Sequence, residues 1–348
     1  MITLNKVAWE TKAILKWGGI AIGAIILIWI VFGLGGTIKK VFFPPPPPPP
    51  TVGFGKLLQI KFPPQTEVKN LTYAIDTLTG SLPSFPDRAS VFKIKENEAN
   101  LLALTNARKK LEALGFNSQP IPIGGNVYKW SDKSSISRTI SLDIFSLDFS
   151  LSSSYLLDQD IISGKNLPDT TEAITKAANF LKSLDAYPKD IDEEKTKTNL
   201  FSIVNSNITP ASSFSNSQLI QVSFFQKDVN KLPIYYSNPN EPPMLFMIAG
   251  GSFQAQIIQG KFAHQEISDE KETYPIKTAD KAFEELQQGK AFIASYEGED
   301  KNISIKKISL GYYIEDERQL YLTPIYVFFG NDNFLAYITA VTDEWLSN

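Results

Sequence analysis

Between Trp17 and Ile38 the chain carries no charged side chain, and the run sits close to the start, between Lys16 and Lys39. Its centre, Ile20 to Phe32, is apolar on every side, with no polar stripe at the helical period. Crossing a hydrocarbon layer about 30 Å thick takes roughly 20 helical residues at about 1.5 Å each. The run therefore reads as a single transmembrane helix over 17–38, preceded by a short head over 1–16. A cleaved signal would have an apolar region of only about 7–15 residues and a small-residue cleavage site. Here Gly33-Leu34-Gly35-Gly36 extends the run, and Lys39-Lys40 closes it. Lys6, Lys12, Lys16 and the amino terminus outweigh Glu10, so the positive-inside bias favours a cytoplasmic N-terminus. The expected location is the cell membrane, with the C-terminal region extracytoplasmic and the lipid bilayer as one partner. Gly19 and Gly23 have the spacing that lets two apolar helices approach closely, which makes a homo-oligomer an expectation as well.

Seven consecutive prolines, Pro44 to Pro50, follow. Each fixes φ and lacks an N–H, so the run is expected to be polyproline II, a spacer of roughly 20 Å at about 3.1 Å per residue. It suits either a ligand for an aromatic-lined recognition domain or a stiff stalk over 39–55, and its place beside the apolar run favours the stalk. The absence of cysteine excludes disulfide staples, thiol chemistry and a lipoprotein anchor. Net charge is −3 over 348 residues, with lysines scattered rather than striped. Nucleic-acid binding would leave a basic footprint, so it is not expected.

The folded region shows an internal repeat. Residues 103–114 align with 173–184 at a constant offset of 70, with identities at Ala103/Ala173, Thr105/Thr175, Ala107/Ala177, Leu111/Leu181 and Leu114/Leu184. Leu104, Ala107, Leu111 and Leu114 step by 3, 4 and 3, which puts them on one helical face. Asp169 with Glu172 starts the second helix and Gly115 stops the first. A third helix is expected over 279–288, with Thr278 as N-cap and Gly289 as stop. Elsewhere the apolar period is two: 140–149, 219–225, 244–249, 252–258, 303–313, 319–329 and 334–341 read as strands, with Gly250-Gly251 as a hairpin turn. The expected class is α+β, a tandem of helix-plus-antiparallel-sheet units with a first unit over 56–165 and a second over 166–348.

The helix at 279–288, then Ile305 to Tyr313, Leu322 to Phe328 and Phe334 to Val341, resembles a PepSY-type module over about residues 276–342. In such modules a strand ending in a Gly-Tyr-like element, here Gly311-Tyr312, precedes a Pro-aromatic strand, here Pro324-Ile325-Tyr326. Thr339-Ala340 stands where the commoner pattern has Asn-Ala. With the N-terminal apolar run, the chain is similar to the YycH/YycI proteins, and the resemblance implies regulation of a sensor kinase by contact.

No catalytic motif emerges. A nucleophile elbow and a phosphate loop are missing, and the acidic clusters 190–194 and 297–300 lack calcium-loop spacing. His264, the one histidine, lies two residues from Glu266 on an expected strand, a pair that would need a further ligand to hold metal. No cofactor is expected. The better pointers to a binding surface are the aromatic clusters Tyr235-Tyr236 and Tyr312-Tyr313 with Tyr326, since such rings give contact area at low entropic cost. The expected function is a non-catalytic binding or regulatory module acting on another envelope or membrane protein. A structural scaffold and an envelope hydrolase using acidic residues are the alternatives.

Overall fold

The computed structural model describes residues 9, 12, 15–29, 48–65, 71–132, 137–251 and 256–347. The chain divides between Pro49 and Pro50 into two compact units. In the first, residues 15–29 are helical and exposed. Here the structure corrects the sequence reading. The described helical residues 15–29 account for about 22 Å at about 1.5 Å each, against a hydrocarbon layer of about 30 Å. No helix among the described residues is long and apolar enough to cross a membrane, so the single-pass anchor expected over 17–38 is not supported. Residues 30–38 and Pro44–Pro47 lie outside the described residues.

The second unit begins with strands β1 (Leu57–Leu58), β2 (Thr72–Ile75) and β3 (Arg88–Ile94) and helix α1 (Ala103–Ala113). Strands β4 (Ile121–Gly124), β5 (Val127–Asp132), β6 (Arg138–Asp143) and β7 (Phe149–Ser153) lead to helix α2 (Thr170–Ser183). Next come β8 (Ile191–Val204), β9 (Asn207–Pro210), β10 (Leu219–Gln226), β11 (Ile234–Tyr235), β12 (Met244–Ala249), β13 (Gln256–Phe262) and β14 (Ile267–Pro275). Helix α3 (Ala279–Gln287), β15 (Phe292–Ser295), β16 (Asn302–Tyr313), β17 (Tyr321–Gly330), β18 (Leu335–Thr339) and β19 (Leu346–Ser347) complete the unit.

Two large sheets dominate, which corrects the expected tandem of helix-plus-sheet units. One is an antiparallel nine-stranded sheet in the order β4-β5-β6-β7-β13-β12-β10-β8-β9. It draws strands from both sides of the boundary expected at residue 165. The other, eight-stranded, runs β11-β16-β17-β18-β15, with β2 on β16, β3 on β17 and β14 on β3. The similar helices α1 and α2 enter the same core. Ala107, Leu111, Ala177 and Leu181 pack with Trp130, Ile140, Phe149 and Phe246 from the nine-stranded sheet. Their alanines let the helix backbones come close, and the leucines fill the space beyond. Helix α3 does the same for the second sheet, with Ala282 and Leu286 against Ile303, Ile305 and Phe328. Side-chain oxygens of Asp169 and Thr278 accept from the amides of Glu172 and Lys281, capping α2 and α3.

The strand expected over 140–149 is two strands joined by a turn. The Asp143 carboxylate accepts from the amides of Phe145 and Ser146, which bends the backbone out of the ladder. His264 and Glu266 lie between β13 and β14 rather than on a strand. Gln265, nearly fully buried, ties that connection to the β16–β17 loop. Its amide donates to the carbonyls of Glu315 at 3.2 Å and Glu317 at 3.0 Å and accepts from the amide of Gln319 at 3.0 Å.

Candidate functional site

Strand β16 pairs along one edge with β17. Along the other it meets two short parallel partners: β2 against Asn302–Ile305 and β11 against Tyr312–Tyr313. Between them, residues 306–311 have no strand neighbour on that side among the described residues. The β16–β17 register shifts between Ile305 and Lys307, the point at which the pairing with β2 ends. At the other end the cause is Pro233. The amide of Tyr312 donates to the Pro233 carbonyl and that of Ile314 to the Tyr235 carbonyl. Continuing this ladder backward calls for an N–H at residue 233 to reach the carbonyl of Leu310, and proline has none.

The interrupted edge opens onto a cavity of about 530 Å³. Its apolar floor is Phe85, Ala89, Leu232, Leu310 and Tyr312, and its charged rim is Arg88, Lys231 and Lys307. No carboxylate lines it among the described residues. Arg88 already pairs with Asp87, at 2.8 Å. Lys307 lies over the Phe329 ring at 5.3 Å, and neither it nor Lys231 has an ion-pair partner among the described residues. Lys231 is placed by a two-residue turn in which Val229 and Leu232 exchange backbone hydrogen bonds. That turn holds Asn230 at φ 51° and Lys231 at φ 65°, a left-handed conformation that asparagine accepts readily and lysine adopts at a cost.

Tyr235 forms the wall. Its ring lies on Gly311 so closely that a Cβ there would sit 2.4 Å from Tyr235 Cε2. It also packs on Tyr337, with ring centroids 5.5 Å apart. Burial pushes its phenol up, against a hydrogen bond with Ser309 that draws it down. Tyr312 is fully buried beneath, its hydroxyl donating to the Ser90 carbonyl at 2.9 Å, and burial raises its pKa as well.

Of the five tyrosines singled out in the sequence, these two meet at one cavity. The other three are core side chains as deeply buried as Tyr312, so of the five Tyr235 alone is partly exposed. Tyr236 takes the amide of Gln226 on its hydroxyl, and Tyr313 packs between Phe62 and Tyr337. Tyr326 donates to the Lys277 carbonyl at 2.6 Å, and burial pushes its phenol up to about 12. Gly19 and Gly23 lie on the exposed N-terminal helix, with nothing within 4 Å of a Cβ at either position. Arg88, Lys231 and Lys307 went unnoticed in the sequence. The one signal available was Asn230-Lys231 followed by Pro233, a turn ending in a residue that stops a ladder.

His264 and Glu266 do not act as a pair. The His264 ring bonds Asp190 at 2.8 Å, whereas Glu266 pairs with Lys95. Both line a second cleft, of about 350 Å³, with Asp185, Lys189, Asp190 and Phe262. Burial pushes the Asp190 carboxyl up, but the hydrogen bond and charge of His264, with the Gln226 amide, outweigh it and hold the group below its ordinary range. Asp148 is the reverse case. Burial raises it despite Arg318, which donates to it at 2.9 and 3.1 Å, and despite the amide of His264 at 3.3 Å. This junction knits the loops of the two sheets together.

No protein-family model and no curated protein matches the chain. Among solved structures, an uncharacterized protein from Eubacterium rectale ATCC 33656 is similar, with 14% identity and a TM-score of 0.36 over 78% of this chain and 87% of that one. The C-terminal domain of YpeB from Bacillus megaterium is similar at 15% identity and a TM-score of 0.30, over 71% of this chain and 95% of that one. With scores this low, neither likeness bears on what the site does.

Proposed function

We propose that the second unit is a non-catalytic binding module that contacts another protein through the interrupted edge of β16. The observation that supports this reading is the interval over 306–311 beside a cavity rimmed by Arg88, Lys231 and Lys307, with no carboxylate among its lining residues in the described part of the chain. Sheet edges are ordinarily paired, covered or kept short, because an open row of backbone donors and acceptors invites another chain. The His264 junction fits a structural role instead, since its carboxylates Asp148, Asp190 and Glu266 are answered within the fold.

The test is a selection of displayed random peptides on the full chain, followed by amide NMR of the protein with the enriched sequences. Enriched peptides should shift the backbone signals of Ile308 and Leu310. Selections that yield no peptide perturbing those amides would sink the reading.

A further inference from the structure

We infer that the occupant of this edge is an extended, acidic segment of a partner protein, added to β16 as an extra strand with acidic and apolar residues alternating. This rests on the binding-module reading and goes beyond it by naming the ligand's chemistry. Three observations carry it.

The first is the backbone. The amide of Tyr312 points to the open side, where it reaches Pro233. Backbone groups repeat their direction every second residue in a strand, so those of Leu310 and Ile308 face the same way. Residues 306–311 span roughly 20 Å at about 3.3 Å each, which leaves room for a segment of about four or five extended residues between β2 and β11. Main-chain bonds of this kind supply affinity wherever a peptide joins a sheet edge.

The second is charge. The whole chain carries −3, yet no carboxylate lines this cavity among the described residues, and of its three cations only Arg88 has an ion-pair partner, Asp87. Lys231 is held at the rim on a left-handed turn although lysine is disfavoured there.

The third is the division of the two faces. Ile308 and Leu310 belong to the apolar cluster with Leu232, Phe85 and Ala89, whereas Lys307 lies on the other face, over Phe329. Successive side chains of an added strand would meet these faces in turn. Apolar residues fit the first, and carboxylates fit the second and the Lys231 rim. A phosphorylated side chain would satisfy the same cations.

The probe is a fluorescein-labelled hexapeptide alternating valine and glutamate, measured by anisotropy against the full chain. Three controls accompany it: a valine–lysine alternation, a peptide with proline at a central position, and a block peptide of three valines and three glutamates. The alternating acidic peptide should bind at least about 10-fold more tightly than each control, and the preference should shrink as salt rises. The double charge reversal Lys231→Glu/Lys307→Glu should weaken it at least about 10-fold at an unchanged melting temperature, because both side chains are exposed. Lysines on an open edge also ward off edge-to-edge aggregation. If that is all they do, the acidic and basic peptides will bind alike or the reversal will have no effect, and either result overturns the inference. Should selected peptides of other composition shift Ile308 and Leu310 while the acidic alternation does not bind, this inference falls and the binding-module reading stands. If no peptide shifts them, both fall.

Discussion

The junction around His264 and the open edge of β16 both gather charged and aromatic side chains, but they differ in what answers the charges. At the junction the carboxylates have partners from the same chain: Asp190 has His264 and Gln226, Asp148 has Arg318 and the His264 amide, and Glu266 has Lys95. At the edge, Lys231 and Lys307 rim an aromatic floor with no carboxylate beside them in the cavity among the described residues. Charges matched internally hold loops in place, since removing one member of a half-buried pair leaves its partner without an answering charge. Lys231 and Lys307 have no ion-pair partner among the described residues, and Lys307 instead lies over the Phe329 ring. The contrast predicts that damage to the first region lowers stability and leaves binding alone, with the opposite result at the second.

One substitution breaks this separation on purpose, and it should have the largest effect. Gly311→Ala puts a Cβ 2.4 Å from Tyr235 Cε2 and 3.0 Å from the Pro233 carbonyl oxygen. The ring or the backbone must move, at a cost of about 1–3 kcal/mol for overpacking. Chemical denaturation should show that loss, and binding of the acidic peptide should fall with it, because the wall of the cavity and its floor share this contact. Unchanged binding at reduced stability would detach Tyr235 from the site.

Next in size is His264→Ala. It removes one of the two side chains that support the Asp190 carboxylate, at about 1–2 kcal/mol for a hydrogen bond to a charged group that is one-third exposed. A lowered urea midpoint with unaltered peptide affinity is the expected pair of results. Lost affinity would mean that the two regions are coupled through the β16–β17 loop that Gln265 holds.

The two regions also differ in how far they could be read from sequence. The spacing Ala107-Leu111 and its copy Ala177-Leu181 gave helices, and the stops at Gly115 and Gly289 stand at φ 95° and 73° as a left-handed terminus requires. Those signals are local. Tyrosine carries no such signal: a ring reads the same whether its hydroxyl meets water or a backbone carbonyl, as Tyr312 meets that of Ser90. Two-residue spacing placed His264 and Glu266 on one strand face, but the side chain of Gln265 bonds a distant loop and takes the segment out of the ladder. The open edge was hidden for the same reason. It exists because segments around residues 75, 233 and 308 meet with a gap, and no window of sequence contains all three.

The pH response separates the two carboxylates of the junction. Asp190 is held below its ordinary value of 3.8, so it contributes stability that is present above that value and lost as pH falls through its folded one. Asp148 is raised above 3.8, so its contribution is full below that value and is lost as pH rises through the folded one. The urea midpoint followed from about pH 3 to about pH 7 should lose part of its acid-side fall in Asp190→Asn. In Asp148→Asn it should instead lose a decline above about pH 4. Identical profiles for the two variants would contradict the opposite environments assigned to them.

The smallest effect belongs to single rim charges, and it tests the contrast most finely. Lys231→Ala removes one exposed cation, and such surface changes usually stay within about 0.5 kcal/mol of stability. Its melting temperature should match the parent's. Affinity for the acidic peptide should drop only about 2- to 5-fold, the scale of one exposed ion pair, and the drop should vanish at high salt. The turn adds a second readout. Lys231→Gly relieves the left-handed strain while removing the same charge, so its stability should rise by a few tenths of a kcal/mol to about 1 kcal/mol, with affinity falling as in Lys231→Ala. A gain in stability accompanied by a loss of binding at one residue is what a cation held in an unfavourable conformation for a partner's sake should show. If Lys231→Gly gains stability without losing affinity, the rim lysine takes no part in binding.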